Sequence, residues 1–350
     1  MIFVTLADLL YRVRQFLIAL IGVALVMAMA LLLAGLANGF RSEVSSTVDG
    51  VGATHWIMAS GAHGGLTAFA AFPESDAALV AHQPGVEASA PFLLVPGQSA
   101  ILQHTSFSYN LVGVEPGHLG DPTVGAGDGH ALSGQRQAVV DARANAPVGS
   151  VVQLGSQAFT VVGIVNDRTL LGGQPLIYVE LPAAQAIALG GRPLVSAVVT
   201  NGAPQTLPTG LSIYTAPSVI QATEHKMQAA ISSIDNSTIL MWIVAAIIVA
   251  ALLYVAALER RRDFAILKAL GSSSAELFGS LVIEAVVVTL VAAAAAVVLS
   301  HFMTFIFQQP LVIPASAYLE LPIIAFIVGI VASLVALRSA TRADPAAAFS

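Results

Sequence analysis

Four long apolar runs, three of them without charge, frame one long stretch in which short apolar segments are broken by turns. Residues 16–40 carry no charge before Arg41, residues 236–258 carry none between Asp235 and Glu259, and residues 321–337 carry none. Residues 277–319 carry only Glu284 and the titratable His301. A helix crossing a bilayer needs about 20 apolar residues. Four spans are therefore predicted, at 16–37, 236–258, 277–302 and 321–338. Leu277 to Phe307 would cover about 46 Å as helix against a hydrocarbon core of ~30 Å, so span three must tilt or project. The loop containing Pro310 and Pro314 returns the chain to span four, which Pro322 is expected to open.

Between spans one and two, residues 38–235 read as one extracytoplasmic domain of mixed α and β character. Strands are predicted at Val51–Met58, Val86–Leu102, Ser106–Val114, Ala138–Asp141, Val151–Leu154, Ala158–Ile164, Leu176–Val179, Leu194–Thr200 and Leu211–Tyr214. Gly155-Ser156-Gln157 is a hairpin signal. Residues 73–85 read as a short helix with acidic residues in its first turn, and Pro182–Leu189 as another with proline at its start. Gly117–Gly134 reads as loop. From Pro217 a helix is expected to run through Ile220, Met227 and Ile231 into span two, where a flexible linker would instead be rich in Gly and Ser. Residues 1–15 have apolar positions at Phe3, Leu6, Leu9, Leu10 and Val13, the spacing of an amphipathic helix along the inner surface or of the start of span one.

Charge orients the spans. Arg12 and Arg14 precede span one, Arg260, Arg261, Arg262 and Lys268 lie between spans two and three, and Arg338 and Arg342 follow span four. By the positive-inside rule the N-terminus, the 259–276 loop and the C-terminus (339–350) are cytoplasmic, and residues 38–235 and 303–320 are outside. The outer segment carries 13 Asp/Glu against 6 Arg/Lys, which argues against nucleic acid as its partner. Span one follows two arginines as a signal peptide would, but it exceeds the usual ~7–15 residue apolar region and has no small-x-small cleavage site, so a retained helix is expected. The composition agrees: 56% of residues are hydrophobic and 10% charged, where a soluble domain carries about 25%.

Chemistry-bearing residues are sparse. There is no cysteine, hence no disulfide framework or thiol chemistry. The outer histidines show no ligand spacing, Asp121 and Asp128 do not make a calcium loop, and no G-x-S-x-G elbow occurs. No catalytic, cofactor or metal residue is assigned. Glu284, about nine residues into span three, is an intramembrane carboxylate; it is either a functional group or one placed near headgroups or bonded to a neighbouring helix. The 259–271 stretch, ERRRDFAILKALG, is the densest basic cluster. Its arginines are explained by orientation alone or, in addition, by ion pairs to a partner. Phe264, Ile266, Leu267 and Leu270 form a helical apolar face, packed either on the chain's own helices or in a partner's groove, with Gly271 ending the helix.

That loop carries a family resemblance. ILKALG followed by SSSAELFGSLVIEA, and the ending RSATRADPAAAF, resemble the MacB/FtsX/LolC-type (type VII) ABC transporter permeases, closest to the DevC-like exporters. QAVVDARANA, VGSVVQLGSQAFTVVGIV and FSYNLVGVEP resemble the MacB-like outer domain. The resemblance spans essentially the whole chain. It implies a four-helix membrane protein with an α+β extracytoplasmic domain between helices one and two, in a bacterial inner membrane. It also implies a homodimer or heterodimer, contact with membrane lipid, a periplasmic adaptor as a further partner, and a cytoplasmic ABC ATPase bound through Arg260, Arg261, Arg262, Phe264, Ile266, Leu267, Lys268, Leu270 and Gly271. The sequence has no G-x-x-x-x-G-K-[ST], so ATP and Mg are expected on that separate chain. The implied activity is export of a lipid, peptide or small hydrophobic compound. The alternatives are mechanotransmission to an external cell-wall hydrolase, as in FtsX, or ligand sensing.

Overall fold

A computed structural model describes residues 13–127, 132, 134, 136–259, 274–304 and 311–341. The chain forms two compact units, one of residues 1–38 and 232–350, the other of residues 39–231.

The first unit is helical. It contains the apolar parts of α1 (Val13–Asp49), α4 (Ala216–Glu259), α5 (Ser274–Thr304) and α6 (Ala315–Thr341). All four helices are long and apolar enough to cross a membrane. Their shared core is rich in alanine, and large apolar side chains line the exposed faces. The shared core takes Ala24 and Ala28 of α1, Ala285, Ala292 and Ala296 of α5, and Ala325 and Ala332 of α6. The exposed faces carry Ile21 and Leu25, Val291, Val298 and Phe302, and Ile323, Phe326 and Ile327. In lipid the large apolar side chains lose nothing by facing outward, and small ones let backbones approach. Gly329 of α6 lies so close to α5 that a Cβ there would meet Val286 Cα at 3.1 Å and Thr289 Oγ1 at 2.9 Å. Pro322 lies inside α6 rather than opening it. The helix starts seven residues earlier, at Ala315. An interior proline costs the chain one backbone hydrogen bond, which membrane helices tolerate.

The second unit is β-rich. Its strands are β1 (His55–Ala59), β2 (Phe72–Pro73), β3 (Ala88–Leu102), β4 (Thr105–Val114), β5 (Ala126–Gly127), β6 (Gln137–Asp141), β7 (Val151–Leu154), β8 (Gln157–Val165), β9 (Thr169–Leu170), β10 (Gln174–Glu180), β11 (Leu194–Val195), β12 (Ala197–Asn201) and β13 (Leu211–Thr215), with helices α2 (Ser75–Ala81) and α3 (Leu181–Leu189). β3, β4, β10, β6, β8 and β7 pair in a closed circuit, because β7 bridges β8 back to β3. The circuit mixes antiparallel pairs with two parallel ones, β4 with β10 and β6 with β8. The first half of β3 belongs instead to an open sheet in the order β13-β1-β12-β3. A bulge between Val95 and Gln98, with Gly97 at φ 70°, bends β3 within its barrel half, after it leaves the open sheet.

Alternation along the strands feeds two cores. Tyr109, Leu111, Val140, Phe159 and Ile177 belong to one, which α2 and α3 also join through Val80 and Ala184. Val112, Val139 and Tyr178 belong to the other, with Trp56 packed edge-on against Phe92 at 5.3 Å. That second core also takes Val44 and Val48 from the end of α1 and Val219 from the start of α4.

Two expected strands shift. Val51–Met58 becomes β1 starting at His55, because α1 continues to Asp49 and a turn with Gly52 at φ 72° intervenes. Leu194–Thr200 divides at Ser196, whose hydroxyl accepts from Leu94 N–H at 2.8 Å. The short strand β5 lies in the expected 117–134 loop.

Candidate functional site

The ATPase-coupling residues expected from the sequence, Arg260, Arg261, Arg262, Phe264, Ile266, Leu267, Lys268, Leu270 and Gly271, lie outside the described residues. So do residues 1–12 and 342–350.

Glu284 is described. It lies on α5 and is 1% exposed. Thr289, Ser300 and Ser333 are equally buried, and each hydroxyl donates to a carbonyl of its own helix, as Thr289 does to Ala285 O at 2.9 Å. Turning hydroxyls onto their own helix satisfies them where water is absent. At the other end of this unit, residues 311–314 are tied across α1. Asn38 Nδ2 donates to Val312 O at 2.9 Å, Val312 N–H donates to Gly35 O at 3.2 Å, and Gly35 leaves room for Ile313.

The densest polar constellation lies in the β-rich unit, and sequence reasoning missed it. Beyond its apolar part, α1 presents Glu43, Ser46 and Thr47 at i, i+3 and i+4, and Gly50 follows the helix at i+7, continuing that face. Val44 and Val48 occupy the adjacent face and enter the core. The polar face meets residues 167–173, the connection between β8 and β10. The Glu43 carboxylate, 3% exposed, accepts from Gly172 N–H at 3.2 Å and from Gly173 N–H. Ser46 Oγ donates to Asp167 O, and Thr47 Oγ1 donates to Thr169 O at 2.9 Å. Arg168 donates through Nη1 to Ser46 O, capping a carbonyl of the last helical turn with a positive charge. Gly50 makes room for that guanidinium, since a Cβ there would lie 2.3 Å from Arg168 Cζ.

The connection is itself held from behind. The fully buried Asp141, at the end of β6, accepts from Arg168 N–H at 2.8 Å and Arg143 N–H at 3.0 Å. Burial pushes the Asp141 carboxyl above its ordinary range, and the two backbone donors offset part of that rise. Tyr178, buried beside it, is pushed up by the same desolvation. Asn110 of β4 donates through Nδ2 to Leu170 O at 3.1 Å and Gln174 O at 3.2 Å, and its Oδ1 accepts from Gly97 N–H at 3.3 Å. The signal available beforehand was small: a Gly-Gly and an Asp-Arg inside one strand connection, and a polar i, i+3, i+4 face just past an apolar run.

The start of α4 is fastened differently. Thr223 Oγ1 accepts from Leu66 N–H at 3.0 Å, and Lys226 Nζ donates to Ala62 O at 2.7 Å. Among the described residues no group of three or more His, Asp or Glu side chains has metal-binding geometry. The hydrogen bonds of Glu43, Thr47, Thr223 and Lys226 join α1 and α4 to the strands and connections of the β-rich unit.

The chain matches known families along nearly its whole length. A MacB-like periplasmic core domain model matches residues 16–214, and an FtsX-like permease C-terminal model matches residues 237–345. An ABC transporter permease of Mycobacterium tuberculosis is 36% identical over 350 residues, covering 100% of this chain and 99% of the relative. The macrolide export ATP-binding/permease protein MacB of Hahella chejuensis is 21% identical over 233 residues, 58% of this chain and 35% of that protein. The periplasmic region of MacB from Actinobacillus actinomycetemcomitans aligns over 52% of this chain and 97% of that structure, with 15% identity and a TM-score of 0.35. With one family model over its first half, another over its second and a full-length relative, this multi-pass membrane protein belongs to the MacB/FtsX-type ABC transporter permeases.

Proposed function

We propose that this chain is the permease subunit that converts ATP hydrolysis by a separate cytoplasmic ATPase into movement of its extracytoplasmic β-rich domain. The movement serves export of a lipid, peptide or small hydrophobic compound, and the permease works as a dimer with a second permease copy. The N-terminus, the 259–276 loop and the C-terminus face the cytoplasm. One observation supports the reading above others: the two helices that bound the β-rich domain continue into it as helix. α1 runs unbroken from Val13 to Asp49, and α4 leaves strand β13 at Ala216 and runs to Glu259. A tethered receptor domain would use a flexible linker; a moved domain needs continuous helices. Export is favoured by the macrolide-export relative.

The coupling contact is the apolar face of Phe264, Ile266, Leu267 and Leu270 seated in an ATPase groove, with Arg260–Arg262 forming ion pairs around it. The test is co-purification of the tagged permease with its co-encoded ATPase. Leu267→Asp with Leu270→Asp should abolish association while the permease still reaches the membrane. Undiminished association of that double variant would sink the coupling-helix reading.

A further inference from the structure

The geometry points to residues 167–173 as a keyed socket that takes up displacement of α1, with Glu43 and Arg168 as its positioning residues. The inference rests on the reading of this chain as a motion-coupling permease. It begins with a difference between the two stems. α4 grows straight out of β13, Thr215 joining Ala216, so any shift of α4 reaches the sheet through covalent backbone. α1 is joined to β1 only through the turn at residues 50–54, which contains two glycines. Chain continuity does not fix α1 against the barrel; side chains must.

The apolar contacts alone are poorly suited to that task. Val44 and Val48 are fully buried, but apolar attraction is non-directional and roughly proportional to area. A helix can rotate or slide by a fraction of a turn against such a surface at little cost. Hydrogen bonds weaken steeply with misalignment. Here three positions on one face of α1, Glu43, Ser46 and Thr47, hydrogen-bond one short connection, and Gly50, just past the helix, leaves room for its Arg168. Sliding by one residue, about 1.5 Å, would break all of them together. The Glu43 end of the face holds Gly172 and Gly173, the Ser46 and Thr47 middle holds Asp167 and Thr169, and the Gly50 end receives Arg168.

The connection has the stiffness a socket needs. Asp167, Leu171, Gly172 and Gly173 sit at φ 56°, 58°, 81° and 88°, two of them non-glycine residues in the left-handed region. Such a backbone persists only where surroundings over-determine it. Asp141 on β6 and Asn110 on β4 supply that support, and Asn110 reaches on to Gly97 in the β3 bulge. A push on α1 is thereby spread over three barrel strands.

Glu43 reads as a carboxylate rather than any polar group. Its two oxygens each accept from a different backbone N–H. Glutamine would offer one oxygen and turn an NH2 donor on the other N–H. Glu43→Gln is therefore a near-isosteric way to break the socket.

The experiment uses the full chain with its co-encoded ATPase in lipid nanodiscs. The sequence has no cysteine, so paired spin labels go cleanly onto exposed Thr105 on β4 and Leu319 on α6. Distance distributions are compared without nucleotide and with Mg-ATP plus vanadate. The unsubstituted protein should show a nucleotide-dependent shift. Glu43→Gln and Arg168→Ala should lose it while ATPase association and hydrolysis continue. Arg168→Lys, which keeps one donor for Ser46 O, should retain it. Thr47→Val removes one bond at almost no change in volume and should reduce the shift in a protein that folds, which keeps the test alive if the other variants fail to fold. A full-sized shift in both Glu43→Gln and Arg168→Ala, or in Thr47→Val where those two fail to fold, overturns the socket and leaves the permease reading intact. No shift in the unsubstituted protein overturns the motion-coupling reading itself.

Discussion

Gly329→Ala tests whether small residues set the spacing of α5 and α6. A Cβ on Gly329 would lie 2.9 Å from Thr289 Oγ1, 3.1 Å from Val286 Cα and 3.2 Å from Val286 N. Two of these are backbone atoms of the neighbouring helix and cannot swing aside. The third is the end of a side chain, but Thr289 Oγ1 is committed to Ala285 O at 2.9 Å and Val286 O at 3.1 Å. Rotating it away would strand a hydroxyl in a dry helix interface. The helices must therefore separate by a few tenths of an ångström along a seam of alanines, each of which loses dispersion contacts. Overpacking of this kind costs about 1–3 kcal/mol, roughly a 5- to 150-fold fall in the folded-to-unfolded ratio. Gly22→Ala is the control, because a Cβ on Gly22 meets nothing within 4 Å. It should be neutral or stabilising by up to about 1 kcal/mol, the usual gain of alanine over glycine in a helix. The assay is unfolding of the purified full-length protein in mixed micelles by titrated denaturing detergent, followed by far-UV circular dichroism. Thr289→Ala in the Gly329→Ala background should recover part of the loss, as a double-mutant cycle would report. If Gly329→Ala and Gly22→Ala unfold alike, the close approach of α5 and α6 is refuted.

Two further outcomes concern the β-rich unit. Asp141 has its folded value raised above the ordinary 3.8 by burial, so the fold favours the neutral acid and its contribution to stability is full below pH 3.8 and lost as pH rises through the raised value; Asp141→Asn should flatten the difference between those two points in pH-dependent denaturant unfolding, and an unchanged slope refutes the assignment. The Tyr109 hydroxyl is fully buried in the barrel, has no hydrogen-bond partner among the described residues and is pushed up to about 12 by burial. Tyr109→Phe should therefore stabilise the protein by about 1 kcal/mol, and a destabilised variant in the same assay would reveal a partner for that oxygen.

The membrane part of this protein was legible because its signal is crude. Four apolar runs of sufficient length, with Glu284 as the single Asp, Glu, Lys or Arg within the third, predict four helices whatever their packing. The strands were legible where alternation and a turn coincide: Gly155-Ser156 does join β7 to β8. The barrel was not legible, because its closure depends on β7 pairing with β3, about fifty residues away, and on parallel pairs that no local pattern announces. The Glu43 face escaped for a related reason. Each member is an ordinary helix residue, and its meaning comes from a connection more than a hundred positions later. Residues 260–271, the stretch with the strongest family signal, lie outside the described residues, so the most conspicuous motif and the most intricately bonded joint are different places.

α1 shows why a single rule for reading helices fails here. Up to Ala37 its buried positions include Val23, Ala24, Met27, Ala28 and Leu31, and its exposed ones are Leu17, Ile21, Leu25 and Met29. Both sets are apolar and both contain leucine and methionine, so polarity does not separate them. After Asn38 the same helix carries Arg41, Glu43, Ser46 and Thr47, with Phe40, Val44 and Val48 as its apolar positions. Hydrophobic periodicity, which assumes water outside, reads the second half and is blind to the first. The change falls where the chain passes from one compact unit to the other, between Asn38 and Gly39. A helix facing lipid along one half and a protein socket along the other must satisfy two solvents with one backbone. That demand explains why the polar bonds that fix its register are gathered in residues 43–50, where hydrogen bonds can be directional without stranding polar groups in hydrocarbon.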